Sequence, residues 1–426
     1  MAKPDGRAPR RAALAMIEAL TDEGHALSES SGLLNGLAPP DRARAQRLAT
    51  ETVRGAERAE AALEPFLKNT PRDPIAWILR LGTWEILVDG AKAHGVVNDL
   101  VSIAGERKNT MRGKGLINAV LRRVAESGTE WGALPAQRMP PWLRKPAVAA
   151  YGRQRVAAIE EPQAVPAPLD ITPKDAAKTA TLRDAMKASD GPTGTLRLSQ
   201  KVQVTALPGY AEGDWWVQDA SASVPARLLD AQAREAVLDL CAAPGGKTMQ
   251  LAATGASVTA LDISEARMHT VEENLSRVGL SAQTIVADAL EWDTDQRFDA
   301  ILLDAPCTAT GTLRRHPELP FVRDASALET LLPLQSALID KALSLLKPGG
   351  RLVYCTCSLL REEGEHQVTA ALQRHAGLER DEGNPDWLPE AVKTPYGLRF
   401  TPEQVADIGG WDGFYIARLS KGAATG

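Results

Sequence analysis

The sequence predicts three parts in order: an all-α N-terminal domain, a small α+β subdomain and an α/β domain with a mainly parallel sheet. Three observations predict this. Residues 1–130 place apolar side chains at helical spacing and carry no strand signal. A proline-rich stretch follows, with Pro135, Pro140, Pro141 and Pro146 and then Pro162, Pro166 and Pro168. From residue 236 strand-like and helix-like segments alternate, the pattern of a sheet covered by helices on both faces.

In the first part, Ala13, Ile17 and Leu20 share one helical face, and Leu48, Val53 and Ala61–Leu63 continue on later faces. Pro39-Pro40-Asp41 reads as a helix start with Asp41 as the N-cap. The segment 74-PIAWILRLGTWEILVDG-90 reads as a helix opened by Pro74 and closed near Gly90, and two more follow at 94–107 and 115–126. The middle part predicts a helix near 143–158 and short strands around 167–172, 195–199 and 201–206. In the last part, VLDL, SVTALDI, TIVADAL, FDAILLDAP, GRLVYCTCS and GFYIARL read as strands. Helices are expected from about 246 and over 264–278, 326–346 and 361–374. The resulting boundaries are 1–135, 136–215 and 216–426, the last being Rossmann-like.

Composition excludes several classes. With 44% hydrophobic and 24% charged residues among 426, the chain is neither disordered nor fibrous. Its longest apolar runs fall well short of the roughly 20 residues that span a membrane. The opening MAKPDGRAPRRAALAM lacks the apolar core of a secretory signal. A cytoplasmic protein with no membrane partner is expected, as a monomer. Charge is uneven. Residues 1–145 hold 22 Lys and Arg against 17 Asp and Glu, whereas the rest hold 27 against 37. Within 107–123, Arg107, Lys108, Arg112, Lys114, Arg122 and Arg123 stand without an acid. This is either a solvated helix face or a patch for nucleic-acid phosphates.

All four cysteines, Cys241, Cys307, Cys355 and Cys357, lie in the second half. A disulfide framework would spread them along the chain. A metal site is not expected either: Cys355-x-Cys357 lacks the two-residue spacing of zinc knuckles and has no second pair.

The segment 237-VLDLCAAPGGKT-248 is a strand, a glycine turn and a helix start, the arrangement that lets backbone approach a ligand. A nucleotide triphosphate loop would need glycine where Cys241 stands, although Gly246-Lys247-Thr248 imitates its end. A dinucleotide fingerprint, G-x-G-x-x-G, is absent. S-adenosylmethionine (SAM) fits better. Its amino-acid half needs the turn, Asp262 at the next strand end suits the ribose hydroxyls, and Asp288 suits the adenine amino group. Asp239, Asp262, Asp288 and Asp304 end four successive strands. Each alone is an ordinary surface carboxylate or cap; together they mark a mouth. Lys247 either supports Asp304 or is a solvated first-turn residue, and Arg267 either contacts the ligand or caps the mouth.

Cys307 follows Asp304-Ala-Pro306, and Cys357 ends the next strand. Carbon 5 of a pyrimidine is a poor nucleophile. A thiolate adding to carbon 6 makes the ring an enamine whose carbon 5 can take a methyl from SAM. The adduct must then lose its carbon-5 proton and expel the cysteine, which needs a base. A carboxylate such as Asp304 can hold the cytosine edge. The base must be unpaired or flipped out to reach such a pocket.

Taken together, 239-DLCAAPGGKT-248, Asp262 with Arg267, Asp288, 304-DAPCTATGTLRRHPEL-319 and 354-YCTCS-358 closely resemble the RNA cytosine-5 methyltransferases. The resemblance implies that Cys357 is the nucleophile and that Cys307 assists release. DNA cytosine-5 methyltransferases use their Pro-Cys cysteine instead, so holding both cysteines favours the RNA class. It also implies that Cys241, Ala242, Ala243, Pro244, Gly245, Gly246 and Lys247, with Asp262, Arg267, Asp288 and Asp304, contact SAM or border its site. The family's Gln-Asp is kept at Gln218-Asp219, whereas 168-PLDITPK-174 stands where an Arg-x-Asn often does. In the helical part, 75-IAWILRLGTWEILV-88, Val97-Asn98 and 113-GKGLINAVLRRV-124 resemble the NusB antitermination-factor fold. That combination is similar to the bacterial branch acting on small-subunit (16S) rRNA. It implies an RNA partner; because the C-terminal part is acidic overall, local basic patches are the expected contacts, Arg107, Lys108, Arg112 and Lys114 in one and Arg314, Arg315 and His316 in the other. The rival substrate is tRNA, and the rival class is a non-catalytic RNA-binding assembly factor.

Overall fold

The computed structural model describes residues 6–198, 202–383 and 385–422. The first five residues of the N-terminal segment, residue 199 of the strand expected at 195–199 and residue 201 of that expected at 201–206 lie outside the described residues. The chain forms two compact units. Among the described residues no helix is long and apolar enough to cross a membrane.

The first unit comprises residues up to Lys145 together with Arg153–Val165 and Leu313–Asp324. Its helices are α1 (Arg7–Glu23), α2 (Pro39–Arg54), α3 (Ala56–Leu63), α4 (Ile75–Leu87), α5 (Ala93–Gly105), the short α6 (Lys108–Met111) and α7 (Lys114–Glu126). Helix α8 (Pro141–Tyr151) begins in this unit and α9 (Arg153–Glu160) lies in it. The core is built on the predicted stripe: Ala13, Ile17 and Leu20 meet Leu48, Val53, Leu100 and Leu121. Helix α4 is buried around its circumference through Trp77, Ile78, Leu79, Leu81 and Trp84, which makes it the central helix. A buried Glu85 would be costly alone. Arg10 Nε donates to it at 2.6 Å and Arg44 Nη2 at 3.1 Å.

Asp41 is not the N-cap of α2. Ala38 holds that position and Pro39 and Pro40 fill the first helical sites. Prolines there have no N–H for a cap to satisfy. Asp41 sits in the first turn instead, where a carboxylate suits the positive helix end.

The second unit holds Pro146–Gly152, Pro166–Thr312 and the chain from Ala325 onward. Gly152, at φ 81°, divides the helix expected over 143–158 into α8 and α9. A small antiparallel sheet follows, β1 (Leu169–Pro173), β2 (Ser189–Asp190), β3 (Leu196–Leu198) and β4 (Trp215–Val217), in the order β2-β3-β1-β4, with α10 (Thr179–Met186) between β1 and β2. Val204–Ala206 is a 3-10 turn and not the expected strand. The strand that completes this sheet is β4, where Trp215 and Trp216 are buried.

After α11 (Val224–Leu229) comes the main sheet: β5 (Ala236–Leu240), β6 (Ser257–Asp262), β7 (Gln283–Val286), β8 (Phe298–Asp304) and β9 (Leu346–Thr356), all parallel. Helices α12 (Gly246–Ala253) and α13 (Glu265–Val278) connect the first three. Helix α14 (Leu319–Val322) lies in the returning Leu313–Asp324 stretch, and α15 (Ala327–Leu345) leads into β9. The sheet ends with α16 (Glu365–Arg374), β10 (Leu378–Arg380), β11 (Lys393–Thr394), β12 (Gly397–Phe400) and the antiparallel β13 (Phe414–Lys421). The order is β11-β12-β13-β9-β8-β5-β6-β7. Strand residues alternate between the two covered faces. Leu238, Leu240 and Tyr354 pack on one side, and Val237, Val353 and Cys355 on the other. The strand order reverses between β5 and β8, so a crevice opens at their carboxyl ends.

Within the first unit, α14 belongs with the helices: Phe321 packs edge-on to Trp77 at 5.9 Å, and Val322 lies on the helical core.

Candidate active site

Strand β5 delivers the chain into a tight turn. Cys241 has φ 61° and Gly245 φ 98°, both in the left-handed region that favours glycine. The turn is braced from β6. Ala242 N donates to Leu261 O at 3.1 Å, and Ala243 N to Asp262 Oδ2 at 3.1 Å. Asp262, 2% exposed, also accepts from Ser264 N at 3.0 Å. Arg267 Nη2 donates to Ala243 O at 2.7 Å and stands 3.6 Å from Asp262 Oδ2. Asp262 and Arg267 therefore shape the turn itself. Asp288 lies in the loop after β7, half-buried, where its Oδ1 accepts from Leu290 N at 2.9 Å. Beside these acids two apolar side chains face outward, Ile263 (67% exposed) and Leu290 (37%). Exposed apolar groups at a strand mouth suit the flat face of a base.

A cavity of about 350 Å³ opens beside the turn, lined by Gln218, Asp239, Ala243, Gly246, Lys247 and Asp304 among others. That volume lies within the range of small-molecule sites, roughly 300–1,000 Å³. Asp239 is fully buried. Its Oδ2 accepts from Thr248 Oγ1 at 2.6 Å, and its Oδ1 has no partner. Burial pushes its carboxyl up to about 7, against the Thr248 bond and the Lys247 charge, with Asp304 and Asp262 adding to the rise. An orphaned acceptor on a cavity wall calls for a donor from a ligand. The left-handed turn, the acceptors Asp239 and Asp262 and the apolar pair fit the amino-acid half, the ribose and the base of SAM.

Across the cavity, Lys247 Nζ donates to Asp304 Oδ2 at 2.7 Å and lies 5.4 Å from the Phe414 ring centroid. Burial works against its ammonium, but Asp304, Cys355 and Asp239 outweigh it, and the group is held above its ordinary value. Cys355 is fully buried and its thiol points to Asp304 Oδ1 at 3.5 Å. Burial, then Asp304, pushes that thiol up, so it stays protonated. Burial and the surrounding acids do the same to Cys241.

The remaining thiols meet. Cys307 Sγ and Cys357 Sγ are 3.5 Å apart. Their loops are stitched together: Ala305 N donates to Cys355 O at 3.0 Å, Gly311 N to Cys357 O at 2.9 Å, and Leu359 N to Thr310 Oγ1 at 3.0 Å. The hydrogen bond with Cys357, then burial, then Glu363 hold the Cys307 thiol well above the usual range. Cys307 is therefore a thiol at neutral pH, beside a second sulfur at the end of the adjacent strand.

The expected RNA contacts belong to the first unit. Lys108, Arg112 and Lys114 are exposed on the first unit, and Arg107 is paired with Glu18 at 2.5 Å. Arg314 departs from the expectation: it is 3% exposed, and its carbonyl accepts from Arg54 Nη1 at 2.6 Å. A buried guanidinium cannot meet a phosphate at the surface. Arg315 is half-buried and His316 is exposed, 3.6 Å from Glu318. Sequence reasoning missed Phe414, Ile263, Leu290, Glu363 and Gln335. The signal for Ile263 and Leu290 was present, since apolar residues follow two strand-end acids. The others depend on contacts far along the chain.

A model of the 16S rRNA methyltransferase RsmB/F family matches residues 226–420, and a NusB family model matches 7–126. The chain is 35% identical to Ribosomal RNA small subunit methyltransferase B of Serratia proteamaculans (strain 568), over 96% of this chain and 97% of that one. It is 34% identical to the protein of the same description from Pseudomonas syringae pv. tomato, over 90% of each. Among solved structures, PH0851 covers 99% of this chain and 100% of its own at TM-score 0.74 and 20% identity, a likeness of fold. A methyltransferase homolog protein from Pyrococcus horikoshii is 29% identical, covering 65% of this chain and 93% of its own, at TM-score 0.55.

Proposed function

The chain belongs to the 16S rRNA methyltransferase RsmB/F family, and from that premise we propose that it methylates carbon 5 of a cytosine in small-subunit rRNA through a covalent cysteine adduct. The observation that carries this reading is the pair of thiols 3.5 Å apart, at the same strand ends as the Lys247–Asp304 pair. An rRNA substrate is met in the cytoplasm, where the enzyme is expected to work as a monomer.

Cys241 to Lys247, with Asp239, Asp262, Arg267 and Asp288, would hold SAM, which supplies a methyl group on a sulfonium sulfur. Cys357 attacks carbon 6 as a thiolate, and the carbon 5–carbon 6 electron pair moves onto the ring. Asp304 receives the cytosine edge, and Lys247 keeps that carboxylate oriented through its 2.7 Å bond. Carbon 5 then takes the methyl. For release, Cys307 first gives its own proton to solvent and then, as thiolate, takes the carbon-5 proton, directly or through water. The double bond re-forms, and the carbon 6–sulfur bond breaks with its pair returning to Cys357. Held above its usual range by the Cys357 hydrogen bond and by burial, the Cys307 sulfur takes up a proton readily once it is a thiolate.

Bisulfite sequencing of total RNA with and without the gene tests the substrate: one 16S position should lose its mark and tRNA should lose none. Two variants test the cysteines. Cys357→Ala should abolish transfer and form no adduct. Cys307→Ala should accumulate a covalent protein–RNA adduct, visible as a gel shift. The opposite pattern would assign the attack to Cys307.

A further inference from the structure

Glu363 ends a one-turn helix, Arg361–Glu363, a few residues after Cys357, and is fully buried. A buried carboxylate persists only when its oxygens are hydrogen-bonded. Its side chain turns to the Cys307 loop. Oε1 accepts from Thr308 N at 2.9 Å and from Gln335 Nε2 at 3.0 Å, and Oε2 accepts from Thr308 Oγ1 at 2.5 Å. Gln335, also fully buried, donates to Pro306 O at 2.8 Å. Both neighbours of Cys307 are therefore held by the Glu363–Gln335 pair.

The backbone of Glu363 turns the other way. Its carbonyl accepts from Tyr354 Oη at 2.8 Å and from Thr356 Oγ1 at 3.2 Å, on the strand that leads directly into Cys357. One residue thus grips the strand that carries one thiol and the loop that carries the other. An apolar side chain would seal this core without the cost of desolvating a carboxylate. It could not accept from Thr308.

We propose that Glu363 is a positioning residue that fixes Cys307 against Cys357 and so governs release of methylated RNA from the covalent adduct. This rests on the cysteine roles proposed above. Glu363 exchanges no proton with the substrate. It sets where Cys307 stands while the carbon-5 proton leaves, the ring double bond re-forms and the carbon 6–sulfur bond returns its pair to Cys357.

The test uses the full-length enzyme with rRNA substrate. Glu363→Gln keeps the shape, removes the charge and weakens the bonds to Thr308. Turnover should fall about tenfold, the scale of one charge-assisted hydrogen bond. The gel-shifted adduct should accumulate, while KM for RNA and affinity for SAM change by less than about twofold. In Cys307→Ala/Glu363→Gln the adduct should not exceed that of Cys307→Ala alone, because both changes act at one step. Thr308→Val removes the hydroxyl donor from the other side and should also trap adduct, which keeps the test decisive should Glu363→Gln fail to fold. Adduct in Cys307→Ala but in neither Glu363→Gln nor Thr308→Val overturns the role of Glu363 alone. No adduct in Cys307→Ala overturns the cysteine roles, and this proposal with them.

Discussion

Asp239 has one oxygen engaged by Thr248 and the other without a partner, in full burial. Its carboxyl, about 4 in an unfolded chain, is pushed up to about 7. Between those values the folded chain keeps a proton that the unfolded chain has released. The contribution of this group to stability is therefore present at low pH and lost as pH rises toward and through 7. Asp239→Asn removes the titration while keeping an acceptor for Thr248. The melting temperature of the variant, relative to the parent, should rise from pH 5 to about pH 7 and then level off, in the absence of SAM. A constant offset across that range would show that Asp239 does not titrate there. This follows from burial on a strand end, which hydrophobic patterning predicts. The orphaned oxygen beside a cavity follows from packing and is invisible in sequence.

At the scale of elements, the two thiol loops are joined through Gly311. Its N–H donates to Cys357 O, and its own carbonyl accepts from Gly413 N at 2.8 Å. A Cβ at Gly311 would run into the Gly413 backbone, which no side-chain rotation relieves. Gly311→Ala should separate the loops and lower methyl transfer by at least about a hundredfold, the cost of misplacing reacting groups by about an ångström. SAM affinity, set on the far side of β5, should stay within about threefold. Parallel transfer assays and calorimetric SAM titrations check this, and a joint loss of both would point to general unfolding.

The central elements were legible because β5, β6, β8 and β9 are buried on both faces and read as continuous apolar runs. Asp262 and Asp304 were legible because each ends such a run. The edge was not: β10, β11 and β12 are two to four residues long, too short to show a period. The clamp on Cys307 was hidden for another reason. Glu363 and Gln335 reach Thr308 and Pro306 across 55 and 29 residues of chain, and local pattern carries no information at that range. Arg314 shows the converse error, since a cluster of basic letters does not reveal which of them the fold buries.

At the scale of the molecule, charge is divided between a basic first third and an acidic remainder. Lys108, Arg112 and Lys114 stand exposed on the first unit. Replacing all three by alanine should weaken RNA binding at low salt and reduce the slope of log affinity against log salt by about 2 to 3, as phosphate contacts are lost. SAM affinity should not change. RNA titrations at several salt concentrations measure this, and an unaltered slope would remove these residues from the RNA footprint.

The first unit is assembled from residues up to Lys145, from Arg153–Val165 and from Leu313–Asp324. It is therefore not a portable module. A fragment ending at Lys145 would lack Phe321 and expose the Trp77 face that it covers. No single protease cut or shortened gene yields either unit whole. Exchanging the helical part between relatives would require transplanting both later stretches with it, one of them lying only a few residues beyond Cys307.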